Sequence, residues 1–184
     1  MIEQQPEQVN QEEKAASPLE QLVSEDAIKE IELWRRKYPS ERKRPPIIAA
    51  LKVIQAEHEN YLTEELMIAL ANYLDVPAIA VFEVATFYTM FNLKPVGKHV
   101  ISVCTNLSCM MCGSKKIVEH LEKRLKIRLG DTTQDQLITL QEVECLAACG
   151  GAPMLEVDQT YFENLNTDKV DDILKHLGWE DSAK

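Results

Sequence analysis

The cysteines are the residues of this sequence whose type and spacing point most directly to chemistry. Cys104, Cys109 and Cys112 have the spacing C-x4-C-x2-C, and Cys145 and Cys149 follow as C-x3-C. Five is an odd number, and all five lie between positions 104 and 149, whereas a disulfide-stabilised secreted fold should distribute its cysteines more evenly. Metal binding or redox chemistry in a reducing compartment is therefore the favoured use.

An iron–sulfur cluster is the metal site that this number of cysteines suits best. Four cysteine thiolates usually hold such a cluster, because soft sulfur ligands suit iron. Two pairs of cysteines on two loops could supply two thiolates to each iron of a [2Fe–2S] cluster. A plant-type set is also compatible, in which Cys104, Cys109 and Cys112 are joined by one distant cysteine. Spacing alone leaves both sets open, since five cysteines compete for four positions.

Two other uses of the cysteines fit the spacing less well. Structural zinc sites favour C-x2-C pairs, and only Cys109 and Cys112 have this spacing. The same pair imitates the C-x-x-C motif of dithiol–disulfide exchange, but that use leaves three cysteines unexplained. None of the four histidines lies in either cysteine loop, which argues against a Rieske-type site.

Short strands are predicted immediately before each group of cysteines. The segment HVISV, residues 99–103, leads into Cys104, and LITLQEV, residues 137–143, ends shortly before Cys145. A helix between two strands predicts a parallel pair with a right-handed crossover. Both groups of cysteines should therefore lie at the same edge of one sheet.

The C-terminal part as a whole predicts the element order β-α-β-β-α. The helix between the two strands should begin with Ser114 as its cap and end near Gly130. The segments MLEV and TYF are predicted to form a hairpin. Thr167 is predicted to cap a final helix that stops at Gly178. This order is that of a thioredoxin-like layer.

The N-terminal half is predicted to be helical. Apolar residues recur there at helical spacing, as in Ala27, Ile31 and Trp34. Thr63 is predicted to be an N-cap, and the segment VFEVATFYTMF should carry a fourth helix to about Phe91. Four short helices with brief connections predict a small bundle.

The domain organisation follows from these patterns, with the segment LKPVGK as the boundary because it contains both proline and glycine. The predicted units are a disordered leader (1–18), a helical bundle for partner docking (19–92), a linker (93–98), a thioredoxin-like domain (99–178) and a C-terminal tail (179–184). The predicted fold class is α+β, in which the helical bundle precedes a thioredoxin-like α/β domain that carries the cluster.

Composition and motifs argue against several functions. The net charge of −10 disfavours nucleic acid as a partner, because phosphate binding requires an excess of Lys and Arg. No apolar run approaches the roughly 18 residues that span a membrane, and no export or transit signal is evident, so a cytoplasmic bacterial protein is expected. Neither G-x-G-x-x-G nor a P-loop occurs, which predicts no dinucleotide or flavin site on this chain.

Two stretches resemble the small iron–sulfur subunit of respiratory complex I, namely VFEVATFYTMFNLKPVGKHVISVCTNLSC and EVECLAACGGAPMLEV. The resemblance covers about residues 20–178 and joins the linker, both cysteine pairs and the following GGAPM in one order. Related subunits of NAD-linked hydrogenases and formate dehydrogenases belong to the same family. The resemblance implies that Cys104, Cys109, Cys145 and Cys149 hold one [2Fe–2S] cluster and that the fifth cysteine is not a ligand.

The function implied by this resemblance is electron transfer in the NADH-oxidising module of NADH:quinone oxidoreductase, an NADH dehydrogenase of the translocase class. NADH and FMN would bind only on a larger partner subunit, with one-electron exchange between that FMN and the cluster. Further implied partners are the other peripheral-arm subunits of complex I, on the cytoplasmic side of a bacterial inner membrane. The alternatives are the equivalent subunit of an NAD-linked hydrogenase or formate dehydrogenase, or a stand-alone thioredoxin-like ferredoxin.

Residues beside the cysteines have smaller expected roles. The small residues of AACGG (147–151) should let peptide N–H groups approach the sulfurs. By analogy with thioredoxin-like folds, a cis peptide bond is expected before Pro153. Met154 is expected to be a core residue, with a cover over the cluster as the alternative.

Overall fold

The computed structural model of the protein describes residues 18–179. The helices are α1 (Pro18–Leu22), α2 (Glu25–Arg35), α3 (Ile47–Glu57), α4 (Glu64–Leu74), α5 (Ala78–Phe87), α6 (Leu107–Met111), α7 (Ser114–Leu125) and α8 (Thr167–His176). The strands are β1 (His99–Cys104), β2 (Ile138–Val143), β3 (Leu155–Val157) and β4 (Thr160–Phe162), and a 3₁₀ turn covers Cys149–Gly151. The predicted leader and tail lie outside the described residues, apart from Pro18 and Trp179.

Side-chain caps start two of the N-terminal helices. The Ala27 N–H donates to Ser24 Oγ at 3.2 Å at the start of α2. The Leu66 N–H donates to Thr63 Oγ1 at 3.2 Å, which confirms Thr63 as the predicted N-cap of α4. Each cap satisfies a peptide N–H that has no partner within its own helix.

The first five helices pack around one apolar core. Its largest fully buried side chains are Leu19, Ile31, Ile47, Leu51, Ile54, Leu62, Leu70 and Leu74. Within residues 18–179, no helix has the length and apolar character needed to cross a membrane.

The helix α5 ends at Phe87, so the prediction that it continues to Phe91 is wrong. Tyr88 adopts an extended backbone conformation. The Met90 carbonyl then accepts a hydrogen bond from Gln55 Nε2 of α3 at 2.9 Å. Contacts with α3 thus stabilise the non-helical chain, and Phe91 is buried in the bundle core.

The four strands form one mixed sheet in the order β2-β1-β3-β4. β1 and β2 are parallel, as predicted, with Cys104 opposite Val143 at the end of the pair. β3 pairs antiparallel with β1 and with β4, and the predicted hairpin is confirmed. Because β1 and β2 run in the same direction, their carboxyl ends lie at the same edge of the sheet.

One face of this sheet is apolar and lies under α7 and α8. The buried residues of this second core are Ile101, Val103, Ile117, Leu121, Leu125, Ile138, Leu140, Leu155, Val157, Leu165, Val170, Ile173 and Leu174. Alternation along the strands puts the neighbouring residues, such as Ser102 and Gln141, on the opposite face. The two faces of the sheet therefore have different chemistry.

The helix α7 differs from its prediction at both ends. It begins at Ser114, but its cap is Gly113, which has a φ of 100° and makes no side-chain hydrogen bond. It ends at Leu125 instead of continuing to Gly130, because Lys126 adopts a left-handed conformation with φ 58°.

The cap of α8 is one residue earlier than predicted. The Lys169 N–H donates to Asn166 Oδ1 at 2.8 Å, and Thr167 is the first helical residue. The predicted stop at Gly178 is confirmed, since this residue has a φ of 80° and its N–H donates to the Lys175 carbonyl at 3.0 Å.

The segment before β1 is attached to both halves of the molecule. The Gly97 N–H donates to Thr139 Oγ1 of β2 at 2.6 Å, and the Lys98 N–H donates to the Gln136 carbonyl at 2.9 Å. From the bundle side, Asn60 Nδ2 donates to the Lys98 carbonyl at 3.0 Å. These bonds fix the position at which the chain enters the sheet.

Gly97→Ala should destabilise the protein, because a Cβ atom at this position would lie 2.9 Å from backbone atoms of Ile138. We expect the free energy of unfolding to fall by about 1–3 kcal/mol, as for other overpacked sites. Gly150→Ala is the control, since a Cβ there has no heavy atom within 4 Å. Equal unfolding midpoints for the two variants would contradict this account of Gly97.

Candidate metal centre

The candidate site lies at the edge of the sheet where β1 and β2 end. Cys104 is the last residue of β1, and its N–H donates to the Met154 carbonyl at 3.2 Å. Cys145 lies two positions after Val143, the last residue of β2. The Thr105 N–H donates to the Val143 carbonyl at 3.2 Å, so the parallel pairing continues to the first cysteine loop.

The short helix α6 positions Cys109, and the sequence did not predict this helix. Asn106 caps it, with Oδ1 accepting the Leu107 N–H at 2.8 Å. Cys109 is 1% exposed and packs with Cys104 and Met154 in a small buried cluster. The helix therefore directs one cysteine inward.

Cys104 has neighbours from both cysteine groups. Burial raises the pKa of its thiol, but the N–H groups of Asn106 and Leu146 and the thiols of Cys109 and Cys145 together lower this pKa below its ordinary value. Hydrogen bonds to the thiolate favour the charged form. Cys104 is therefore prepared to act as a thiolate.

The pKa of the Cys109 thiol shifts in the opposite direction, above its ordinary value. Its pKa is raised to about 11, chiefly by burial, with further contributions from the hydrogen bond and charge of Cys104. The N–H of Met154 opposes this effect, while the charge of Cys149 reinforces it. The Cys104 and Cys109 thiols thus interact with each other and with the two cysteines of the second loop.

Cys112 is separate from this group. It follows the last residue of α6 and is exposed, whereas Cys109 on the same helix is buried. Its thiol is not among the largest influences on the pKa of Cys104 or Cys109. Exposure alone does not set Cys112 apart, since Cys145 and Cys149 are exposed too. The neighbours of Cys104 and Cys109 favour the ligand set without Cys112, and the assignment of the four ligands stays a prediction.

Peptide N–H groups point at the sulfurs, as the small residues of the second loop predicted. The Ala147 N–H donates to Cys145 Sγ at 3.2 Å, and Ala147 has a φ of 57°. Gly151 has a different role, because its N–H donates to the Ala148 carbonyl and a Cβ there would clash with the Glu163 side chain.

Sequence reasoning missed the N–H groups of Asn106 and Leu146, which also act on a sulfur. Asn106 could have been found as an N-cap, because asparagine is favoured there and it lies three residues before Cys109. No sequence pattern marks Leu146, because its N–H reaches the Cys104 sulfur only through the way the second loop folds.

The residues after the second loop agree with their predictions. The peptide bond between Ala152 and Pro153 is cis. Met154 is 1% exposed and packs against Cys104 and Cys109. It is a core methionine that also covers these two cysteines.

The donor set fits a two-iron cluster. The thiols of Cys109 and Cys145 act on Cys104, and the charge of Cys149 acts on Cys109, so cysteines of both loops lie near one another. A [2Fe–2S] cluster distributes four thiolates over two irons. Soft thiolates with N–H groups directed at them are the surroundings that such a cluster requires.

Comparison with known proteins identifies the family. The family model described as thioredoxin-like [2Fe–2S] ferredoxin matches residues 31–178. The chain therefore belongs to the thioredoxin-like [2Fe–2S] ferredoxin family, which confirms the resemblance, the fold class and the cofactor predicted from the sequence.

Two curated relatives are subunits of the same enzyme in different organisms. The chain is 42% identical over 140 residues to an NADH-quinone oxidoreductase subunit of Rickettsia prowazekii (strain Madrid E), covering 76% of this chain and 79% of that protein. It is 41% identical over 146 residues to an NADH-quinone oxidoreductase subunit of Rhizobium meliloti (strain 1021), covering 79% and 85%.

A solved structure shares the fold. The crystal structure of an NAD⁺-reducing [NiFe]-hydrogenase in the air-oxidised state matches with a TM-score of 0.62 and 18% identity. The match covers 77% of this chain but 24% of that chain, so this protein corresponds to about a quarter of the hydrogenase chain.

Cys112→Ser should keep the cluster, and Cys109→Ser should lose or alter it, because Cys109 packs beside Cys104 and acts on its thiol, whereas Cys112 is not among the groups that do. The measurement is the visible absorbance and reduced-state EPR signal of each anaerobically purified variant. The reverse outcome, with Cys112 essential and Cys109 dispensable, would support the plant-type ligand set.

Proposed function

We propose that this chain is the iron–sulfur electron-transfer subunit of the NADH-oxidising module of an NADH:quinone oxidoreductase. The observation that carries the proposal is the meeting of two cysteine pairs at one sheet edge, in a chain about 40% identical to proteins named as subunits of that enzyme. We place it in the peripheral arm, on the cytoplasmic side of a bacterial inner membrane.

The chain's own residues suit a one-electron site. Held by Cys104, Cys109, Cys145 and Cys149, a [2Fe–2S] cluster would supply one-electron redox chemistry. The surrounding peptide N–H groups, such as that of Ala147, favour negative charge on the sulfurs. Burial of Cys104 and Cys109 keeps water from this side of the site.

The proposed partner is a larger subunit that binds NADH and FMN. FMN accepts a hydride, which carries two electrons, so a neighbouring one-electron site would let these electrons be separated. The hydrogenase match supports the fold alone, because its identity is 18%. The relatives named NADH-quinone oxidoreductase therefore favour the quinone-linked enzyme over the hydrogenase alternative.

Purification of a tagged chain from its native host tests the proposal. We expect an NADH-oxidising, quinone-reducing complex to co-purify, and NADH to reduce the iron–sulfur centre within that complex. The isolated chain, studied by calorimetry, should bind no NADH. Recovery of a hydrogenase or formate dehydrogenase would support the alternative module, and a fully active monomer would overturn the subunit assignment.

A further inference from the structure

The polar face of the sheet forms one wall of a cleft of about 550 Å³. The opposite wall comes from the helical bundle and includes Lys52 of α3 and Tyr88 and Met90 after α5. Cys145 of the second cysteine loop also lines the cleft. The cleft is therefore continuous with the candidate metal centre but lies on the face that α7 and α8 leave free.

A row of polar side chains crosses the sheet at the base of this cleft. Gln141, Ser102, Glu156 and Tyr161 lie opposite one another on β2, β1, β3 and β4. Gln141 Nε2 donates to Ser102 Oγ at 2.9 Å, so these two residues satisfy each other. Glu156 lies next in the row and is half-buried.

The carboxylate of Glu156 has no hydrogen-bond or ion-pair partner among residues 18–179. Burial raises its pKa, the charge of Lys52 opposes this rise, and the charge of Asp158 adds to it. Lys52 is exposed and forms no salt bridge with Glu156. A half-buried carboxylate without a partner is unfavourable in the free chain, and an incoming cation would relieve this cost.

Exposed aromatic and methionine side chains line or flank the cleft, as they do at protein interfaces. Tyr88, Met90 and Tyr161 are 38%, 37% and 50% exposed. Phe87, whose ring packs edge to face against Tyr88, is 77% exposed. Aromatic residues and methionine are enriched at protein–protein interfaces, whereas a small cation requires no such apolar rim.

We propose that this cleft is the docking site for a segment of the larger flavin-carrying subunit, and that a Lys or Arg side chain of that segment pairs with Glu156. The inference rests on the proposed function, because that function supplies the partner. Docking here would place the partner directly beside Cys145. Charge complementarity with Glu156 selects a cationic segment over an acidic one.

Glu156→Gln tests the inference, with Glu119→Gln as a matched control. Glu119 is exposed on α7, which packs on the other face of the sheet. The dissociation constant of each full-length, cluster-loaded chain for the purified larger subunit is measured at one fixed salt concentration. We expect Glu156→Gln to weaken binding about tenfold or more, and Glu119→Gln to bind like the wild type.

The melting temperature of the free chain distinguishes docking from a structural role. Removing an unpaired carboxylate should leave this temperature unchanged or raise it, although binding is weakened. Equal binding by Glu156→Gln and wild type, or weaker binding together with a lower melting temperature, would overturn the inference. No binding by the wild type would instead count against the proposed function, and the inference would fail with it.

Discussion

The parallel register between β1 and β2 is the constraint on which the candidate site depends. It aligns the two strands so that Cys104 closes β1 opposite Val143, and Cys145 follows shortly after. Because the crossover through α7 must return to the start of β2, the loop that forms α6 stays at the same edge. Backbone hydrogen bonds of the sheet thus bring both cysteine groups together.

Because side chains alternate along the same strands, one face of the sheet packs against the core and the other lines the cleft. Ile101 and Leu140 point into the core under α7 and α8, which stabilises the sheet. Ser102 and Glu156 face the cleft, where the bundle supplies the opposite wall. Asn60 of the bundle donates a hydrogen bond to the Lys98 carbonyl just before β1. The bundle wall of the cleft is therefore connected to the strand that ends at Cys104.

The sequence predicts the long helices and the strands, which show a regular apolar period, and the position of the cysteines, which follow the strand ends. The five residues of α6 are too few to show a helical period, so the asparagine at its cap, Asn106, is the available signal for this helix. The end of α5 depends on Gln55, a residue distant in sequence. Spacing could not choose between Cys109 and Cys112, because their difference in burial arises from the orientation of α6.

A two-iron cluster on these thiols is the feature on which the proposed electron transfer most depends. Iron, zinc and acid-labile sulfide, measured per chain on anaerobically purified wild-type protein, test this claim most directly. We expect about two irons and about two sulfides per chain, with no stoichiometric zinc. Zinc at about one per chain without sulfide would contradict it.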